Sequence, residues 1–126
     1  MTGRETPGRK ILGSRGEEIA RDYLRKLNYT IIAVNYRCRC GEIDIIARES
    51  STLVFIEVKT RRTATYGPPQ LSVTHFKQRQ ISKAALTYLA KNRLETANAR
   101  FDVIGISLSE GPPLVDHIRN AFDLAY

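Results

Sequence analysis

Two short stretches decide the fold of this chain: Gly41-Glu42-Ile43-Asp44-Ile45-Ile46 and Phe55-Ile56-Glu57-Val58-Lys59-Thr60. Both are rich in branched or aromatic residues, which suit a pleated, buried strand. The polar stretch between them, residues 48–52, has a length suited to a hairpin, so the two runs are expected to pair antiparallel. Along the second run Val54, Ile56 and Val58 point to one face, while Leu53, Phe55, Glu57 and Lys59 point to the other. Apolar groups on both faces mark a central strand. Glu57 and Lys59 interrupt that pattern, and burying them costs on the order of several kcal/mol per ion unless each is paired or bound to metal. Asp44, between Ile43 and Ile45, has the same character. Antiparallel pairing brings it beside Glu57, where two like charges repel unless a cation lies between them.

Working outward, Ile19, Ala20, Tyr23, Leu24 and Leu27 recur at helical spacing behind Ser14, an N-cap candidate with Glu17 three residues on. A first helix is expected over residues 15–27, ended by Asn28, and residues 29–36 read as a strand. Arg37, Arg39 and Gly41 mark a turn. Residues 42–47 and 53–60 follow as strands, and residues 61–71, with Gly67, Pro68 and Pro69, as a loop. Ser72 or Thr74 can cap a second helix whose apolar stripe is Val73, Phe76, Ile81, Ala84, Ala85, Tyr88 and Leu89. Residues 101–108 and 114–122 complete the strands. The order α-β-β-β-α-β-β predicts an α/β fold with a mixed sheet and helices packed on it. Residues 1–13 are expected to form a flexible basic arm, and residues 14–126 one domain.

A chain of 126 residues with a hydrophobic share of 42% and a charged share of 26% is ordinary for one globular domain, which excludes fibrous and low-complexity readings. No apolar run approaches the roughly 20 residues of a membrane-spanning helix, and the N-terminus lacks the apolar core of a secretory signal. A soluble, cytoplasmic protein with no membrane partner is expected. Cys38 and Cys40, one residue apart, suit neither a disulfide framework nor the usual zinc spacing, and read as reduced thiols in a strand or its connecting loop. The formal charge of +7 points to a polyanionic partner. Residues 76–100 hold six basic residues against Glu95, whereas residues 101–126 hold Arg119 against four acids. Arg61, Arg62, Lys77, Arg79 and Lys83 are therefore the candidate contacts to a nucleic-acid backbone. Tyr66 is a candidate for stacking on a base.

Two carboxylates and a lysine make a compact site for phosphodiester hydrolysis. The hard oxygens of Asp44 and Glu57 suit Mg²⁺ or Mn²⁺, and Lys59 can position or help deprotonate the attacking water. Asp44 followed thirteen positions later by Glu57-Val58-Lys59 resembles the PD-(D/E)xK signature of the restriction-endonuclease-like superfamily. Gly16-Glu17 with Ala20 and Leu24, Asn35, Gly41-Glu42-Ile43-Asp44, Phe55 through Arg61, Gly67 and Lys77 more closely resemble the YraN-like bacterial family of predicted endonucleases. The resemblance runs over residues 13–122. It implies a restriction-endonuclease-like fold, with relatives among archaeal Holliday-junction resolvases. It also implies that Asp44, Glu57 and the backbone carbonyl of Val58 ligate metal, that Lys59 activates water or stabilises charge, and that Glu17 matches the acid on the first helix of resolvase-like members. Ile43 stands where the superfamily motif has proline, as is usual in YraN-like sequences.

Glu17 reads equally as the N3 partner of a Ser14 capping box. Glu42 reads as an additional acid behind the metal ligands or as a partner for an arginine, and Lys77 as a phosphate contact or a brace on Glu57. The expected activity is that of a metal-dependent nuclease on nucleic acid, with DNA, including branched or structured DNA, as the first candidate. The alternatives are a non-catalytic nucleic-acid-binding module that keeps the nuclease fold and, more remotely, an interaction protein whose basic face meets an acidic surface. Dimerisation is open.

Overall fold

The computed structural model describes residues 7–62 and 67–125, with side chains described from residue 12 onward. Helix α1 spans Pro7–Lys26 and is followed by the strands β1 (Thr30–Cys38), β2 (Gly41–Glu49) and β3 (Thr52–Arg61). A short 3-10 turn at Pro69–Ser72 leads into helix α2 (His75–Lys91), and β4 (Ala99–Ser107) and β5 (Leu114–Phe122) complete the chain. The expected element order holds. The strands form one mixed sheet in the order β1-β2-β3-β4-β5, antiparallel throughout except for the parallel pair β3 and β4, which α2 connects.

The sheet carries an apolar cluster on each face, as the two-sided pattern of β3 requires. One contains Ile46, Phe55, Ile81, Ala85 and Val103 and packs under α2. The other contains Ala20, Leu24, Ile45, Ile56 and Ile104 and packs under α1. Helix α1 approaches β3 so closely at Gly16 that a Cβ there would fall 1.9 Å from Thr60 Oγ1, so only glycine permits this crossing. Asn28 takes a left-handed φ of 67° after α1 and turns the chain into β1. Ser50, with φ 54°, opens a two-residue turn between Glu49 and Thr52, tighter than the expected loop. Thr74 caps α2, its hydroxyl accepting from Lys77 N–H at 3.1 Å.

Three expectations need correction. Helix α1 begins at Pro7 rather than near residue 15, so residues 7–13 of the expected arm are helical, while residues 1–6 lie outside the described residues. Proline suits a helix start because no partner for its nitrogen is needed there. Ser14 therefore sits inside the helix and does not cap it, and the capping-box reading of Glu17 falls with it. Phe76, expected in the apolar stripe of α2, is 61% exposed and stands outside the apolar cluster that Ile81, Ala84, Ala85 and Leu89 join. Tyr66 lies outside the described residues.

Candidate active site

Asp44 lies where the β2 ladders are interrupted. The pairing of β2 with β3 ends at Ile45 opposite Ile56, and the pairing with β1 passes from Val34–Ile45 to Tyr36–Ile43 without Asn35 and Asp44. Asn35 has a left-handed φ of 51° at this point. The Val58 N–H, released from a β2 backbone partner, instead donates to Asp44 Oδ2 at 2.8 Å. This bond fixes the carboxylate beside the peptide that leads to Lys59.

Glu57, one step further along β3, is only 6% exposed. The negative charge of Asp44 acts on its carboxyl. Lys59 Nζ stands 3.5 Å from Glu57 Oε2, and Lys77 Nζ, from the first turn of α2, stands 3.9 Å from the same oxygen. Burial, then the charge of Asp44, pushes Glu57 up to about 8 against the pull of Lys77 and Lys59. Burial likewise raises Asp44, although the Val58 N–H works against it. Burial thus raises the proton affinity of both acids, and the charge of Asp44 adds to it at Glu57.

Beside this pair opens a cleft of about 460 Å³, bordered by Glu17, Asn35, Glu42, Val58, Lys59 and Thr60. Glu17 reaches it from α1, and burial, then the negative charge of Asp44, raises its carboxyl above the usual value. Glu42 also lines the cleft and pairs across the hairpin with Arg37 Nε at 3.0 Å, the arginine-partner role foreseen for it. Asn35 and Arg37 are cleft residues that had no assigned role in the sequence. Their signal was register: in a short hairpin Arg37 comes opposite Glu42, and Asn35 lies two residues before Arg37 on the same strand.

Among the described residues, no cluster of three or more His, Cys, Asp and Glu side chains is arranged to hold a metal. The protein side-chain donors at the site are thus the two carboxyls. This fits Mg²⁺ or Mn²⁺, which are held by one or two carboxylates and complete their shell with water and phosphate oxygens.

The candidate backbone contacts divide. Lys77 braces Glu57. Arg61 donates to the Gly67 carbonyl and to Ser72 Oγ, tying down the segment before α2. Arg79 meets His75 Nδ1 at 3.1 Å and stacks its guanidinium over the Phe76 ring, while Arg62 and Lys83 are exposed. Thus Lys77 joins the acidic pair, whereas Arg79 is engaged with His75 and Phe76, and Arg62 and Lys83 face solvent.

A second polar cluster, which the sequence reading missed, lies under β4 and β5. Asp102, fully buried, accepts from Arg100 Nε at 2.9 Å, Arg100 Nη2 at 3.2 Å and the Asn120 N–H at 3.0 Å, and meets His117 Nε2 at 2.7 Å. Arg100 continues to Tyr29 and Glu49, and Arg119 closes on Glu49 through two hydrogen bonds. Burial raises Asp102, but its hydrogen bonds to His117, Arg100 and Asn120 outweigh that, and the net shift is below the usual carboxylate value.

Among the described residues, no helix is long and apolar enough to cross a membrane. The sequence profile of the uncharacterised protein family UPF0102 matches residues 16–106. A UPF0102 protein of Geobacter sulfurreducens is 63% identical over 118 residues, covering 93% of this chain and 92% of that one. One from Geotalea daltonii is 55% identical over the whole of both chains. The crystal structure of SSO0001 covers 93% of this chain, which spans about half (54%) of that longer chain, at a TM-score of 0.39 and 19% identity. With a matching profile across most of its length and relatives this similar from end to end, the chain belongs to the uncharacterised protein family UPF0102, the YraN-like group its sequence resembles.

Proposed function

We propose that this protein is a metal-dependent nuclease that hydrolyses phosphodiester bonds in DNA, with branched or structured DNA as its favoured target. The observation that carries the reading is the half-buried Asp44, fixed by the Val58 N–H at 2.8 Å, beside the buried Glu57, with Lys59 3.5 Å from Glu57 and lining the adjacent cleft. A structural ion pair has no use for a second buried acid that raises its neighbour's proton affinity.

Asp44 and Glu57, with the Val58 carbonyl, would hold Mg²⁺ or Mn²⁺, which when bound supplies positive charge to the scissile phosphate and lowers the proton affinity of water. Asp44 is kept in place by the Val58 N–H. As a carboxylate Glu57 would be one of the groups holding the cation, and Lys77 steadies it from α2. Lys59 offers an ammonium to the phosphate or the attacking water. Glu17, a raised carboxyl at the far wall of the cleft, is suited to accept a proton from that water. Arg62, Arg79 and Lys83 supply positive charge for the backbone, and Arg61 acts by holding the segment before α2. The element order and the Asp44, Glu57-Val58-Lys59 spacing support the restriction-endonuclease-like assignment. Free thiols at Cys38 and Cys40 suit a reducing, cytoplasmic setting.

The ion pairs of Glu57 with Lys59 and Lys77 also suit a module that binds nucleic acid without cutting it. One experiment separates the two. Labelled linear, nicked, flapped and four-way DNA and single-stranded RNA are incubated with Mg²⁺ or Mn²⁺ and with wild type, Glu57→Ala or Lys59→Ala. Metal-dependent products lost in both variants are expected. Salt-sensitive binding without any products favours the binding module, and cleavage retained by both variants overturns the site.

A further inference from the structure

The hairpin that delivers Asp44 also carries the two cysteines. Cys38 is the last residue of β1, pairing with Gly41, and Cys40 lies in the two-residue turn between them. Their sulfurs are 2.8 Å apart. Cys40 Sγ also lies 3.6 Å from Thr87 Oγ1 on α2, and the ammonium of Lys83, one helical turn earlier, adds positive charge beside it. The turn is seated on that helix, since a Cβ at Gly41 would come 2.8 Å from the Gln80 carbonyl oxygen. Beneath the pair, Tyr36 Oη is buried without a hydrogen-bond partner among the described residues, close enough for both sulfurs to act on it electrostatically. Two thiols in contact, a lysine charge and an unpartnered hydroxyl make a nucleophilic cluster outside the acidic cleft.

We propose that Cys38 and Cys40 form a redox-active dithiol that exchanges with low-molecular-weight disulfides, with Cys40 attacking and Cys38 resolving. The Cys40 thiolate attacks one sulfur of a disulfide RSSR, the S–S bond of RSSR breaks, and one thiolate leaves and takes up a proton as RSH. Cys38 then loses its proton and attacks the Cys40 sulfur of the mixed disulfide, releasing the second RSH. The protein loses two hydrogens and two electrons and gains one S–S bond, and RSSR is reduced to two thiols. The assignment of roles follows from surroundings. Cys40 has the Cys38 sulfur 2.8 Å away and the Lys83 charge to stabilise its thiolate, and its thiol is lowered below the usual value, the Cys38 contact first. Cys38 has no such set beyond Cys40. A bond between residues one apart in a tight turn closes a small, strained ring, which belongs with the readily reduced, regulatory disulfides rather than the structural ones. The proposal is independent of the nuclease reading.

The test exposes the full chain to glutathione disulfide, quenches with an alkylating reagent at timed intervals and reads intact mass. Wild type is expected to pass through a transient glutathione adduct to a species lighter by two hydrogens. Cys38→Ser should accumulate the adduct at Cys40, and Cys40→Ser should react about tenfold more slowly than wild type. Lys83→Gln, at an exposed helix position, should slow the wild-type reaction severalfold and leave the end product unchanged. Equal reaction rates at the two cysteines, stable adducts on wild type, or disulfides formed between chains would each overturn the proposal.

Discussion

Glu57-Val58-Lys59 and Arg100-Phe101-Asp102 are the same device on neighbouring strands, a carboxylate and a cation two residues apart in a buried run, with opposite outcomes. Asp102 has four polar partners at 2.7 to 3.2 Å, and its carboxyl is held below the usual value. Glu57, beside Val103 in the same parallel ladder, meets two ammonium groups at 3.5 and 3.9 Å and a second acid, and is pushed up to about 8. A buried charge whose partners are complete braces the fold. A buried acid left short of partners stays costly, and on the proposed function it is the place where a cation binds.

The comparison can be broken at its satisfied end. Asp102→Ala strands Arg100, His117 and the Asn120 N–H in a buried site, and is expected to destabilise the protein by about 3–5 kcal/mol in urea denaturation. A loss below about 1 kcal/mol would mean that the network is not a brace.

The unsatisfied end gives a smaller effect of opposite sense. Glu57 has a folded value of about 8 against an ordinary 4.5, so the stability from its bound proton is complete below 4.5 and is lost as pH rises through about 8. Asp102 runs the other way: its contribution is present above the ordinary 3.8 and is lost as pH falls through its lower folded value. Metal-free wild type should therefore lose on the order of a few kcal/mol relative to Glu57→Gln between pH 4.5 and 8, and then run parallel to it. Urea midpoints across this range measure it. Parallel curves throughout would place Glu57 in the same class as Asp102.

The smallest effect concerns the surroundings. Lys83→Gln, on the exposed side of α2, should weaken nucleic-acid binding about equally across sequences and lower the salt slope by about one ion. An unchanged slope would remove α2 from the path of the backbone.

Much of this was legible in the sequence because strand alternation is strict. Once residues 53–60 read as a two-sided strand, Glu57 and Lys59 had to share a face, and a hairpin had to bring Asp44 near them. The same argument applied to Asp102, alone among the apolar residues from Phe101 to Ile106, and would have exposed the second network. Its partners were harder to find, because His117 and Glu49 reach it through long-range packing of separate strands. The start of α1 was misread for a local reason: Ser14 and Glu17 have capping chemistry, but the helix runs through them because its inner face packs on β3 around Gly16. Phe76 was misread because helical spacing assigns a face without saying where the covering sheet ends.

On the proposed function, Asp44 and Glu57, both with raised proton affinity, together form a divalent-cation site. Its most direct test is calorimetric titration of the full chain with Mn²⁺ at pH 7, in buffers of different ionisation enthalpy. Saturable binding at one site with release of about one proton per ion, abolished in Asp44→Asn, is the predicted result. No binding by folded wild type, or binding unchanged in Asp44→Asn and Glu57→Gln, would contradict it.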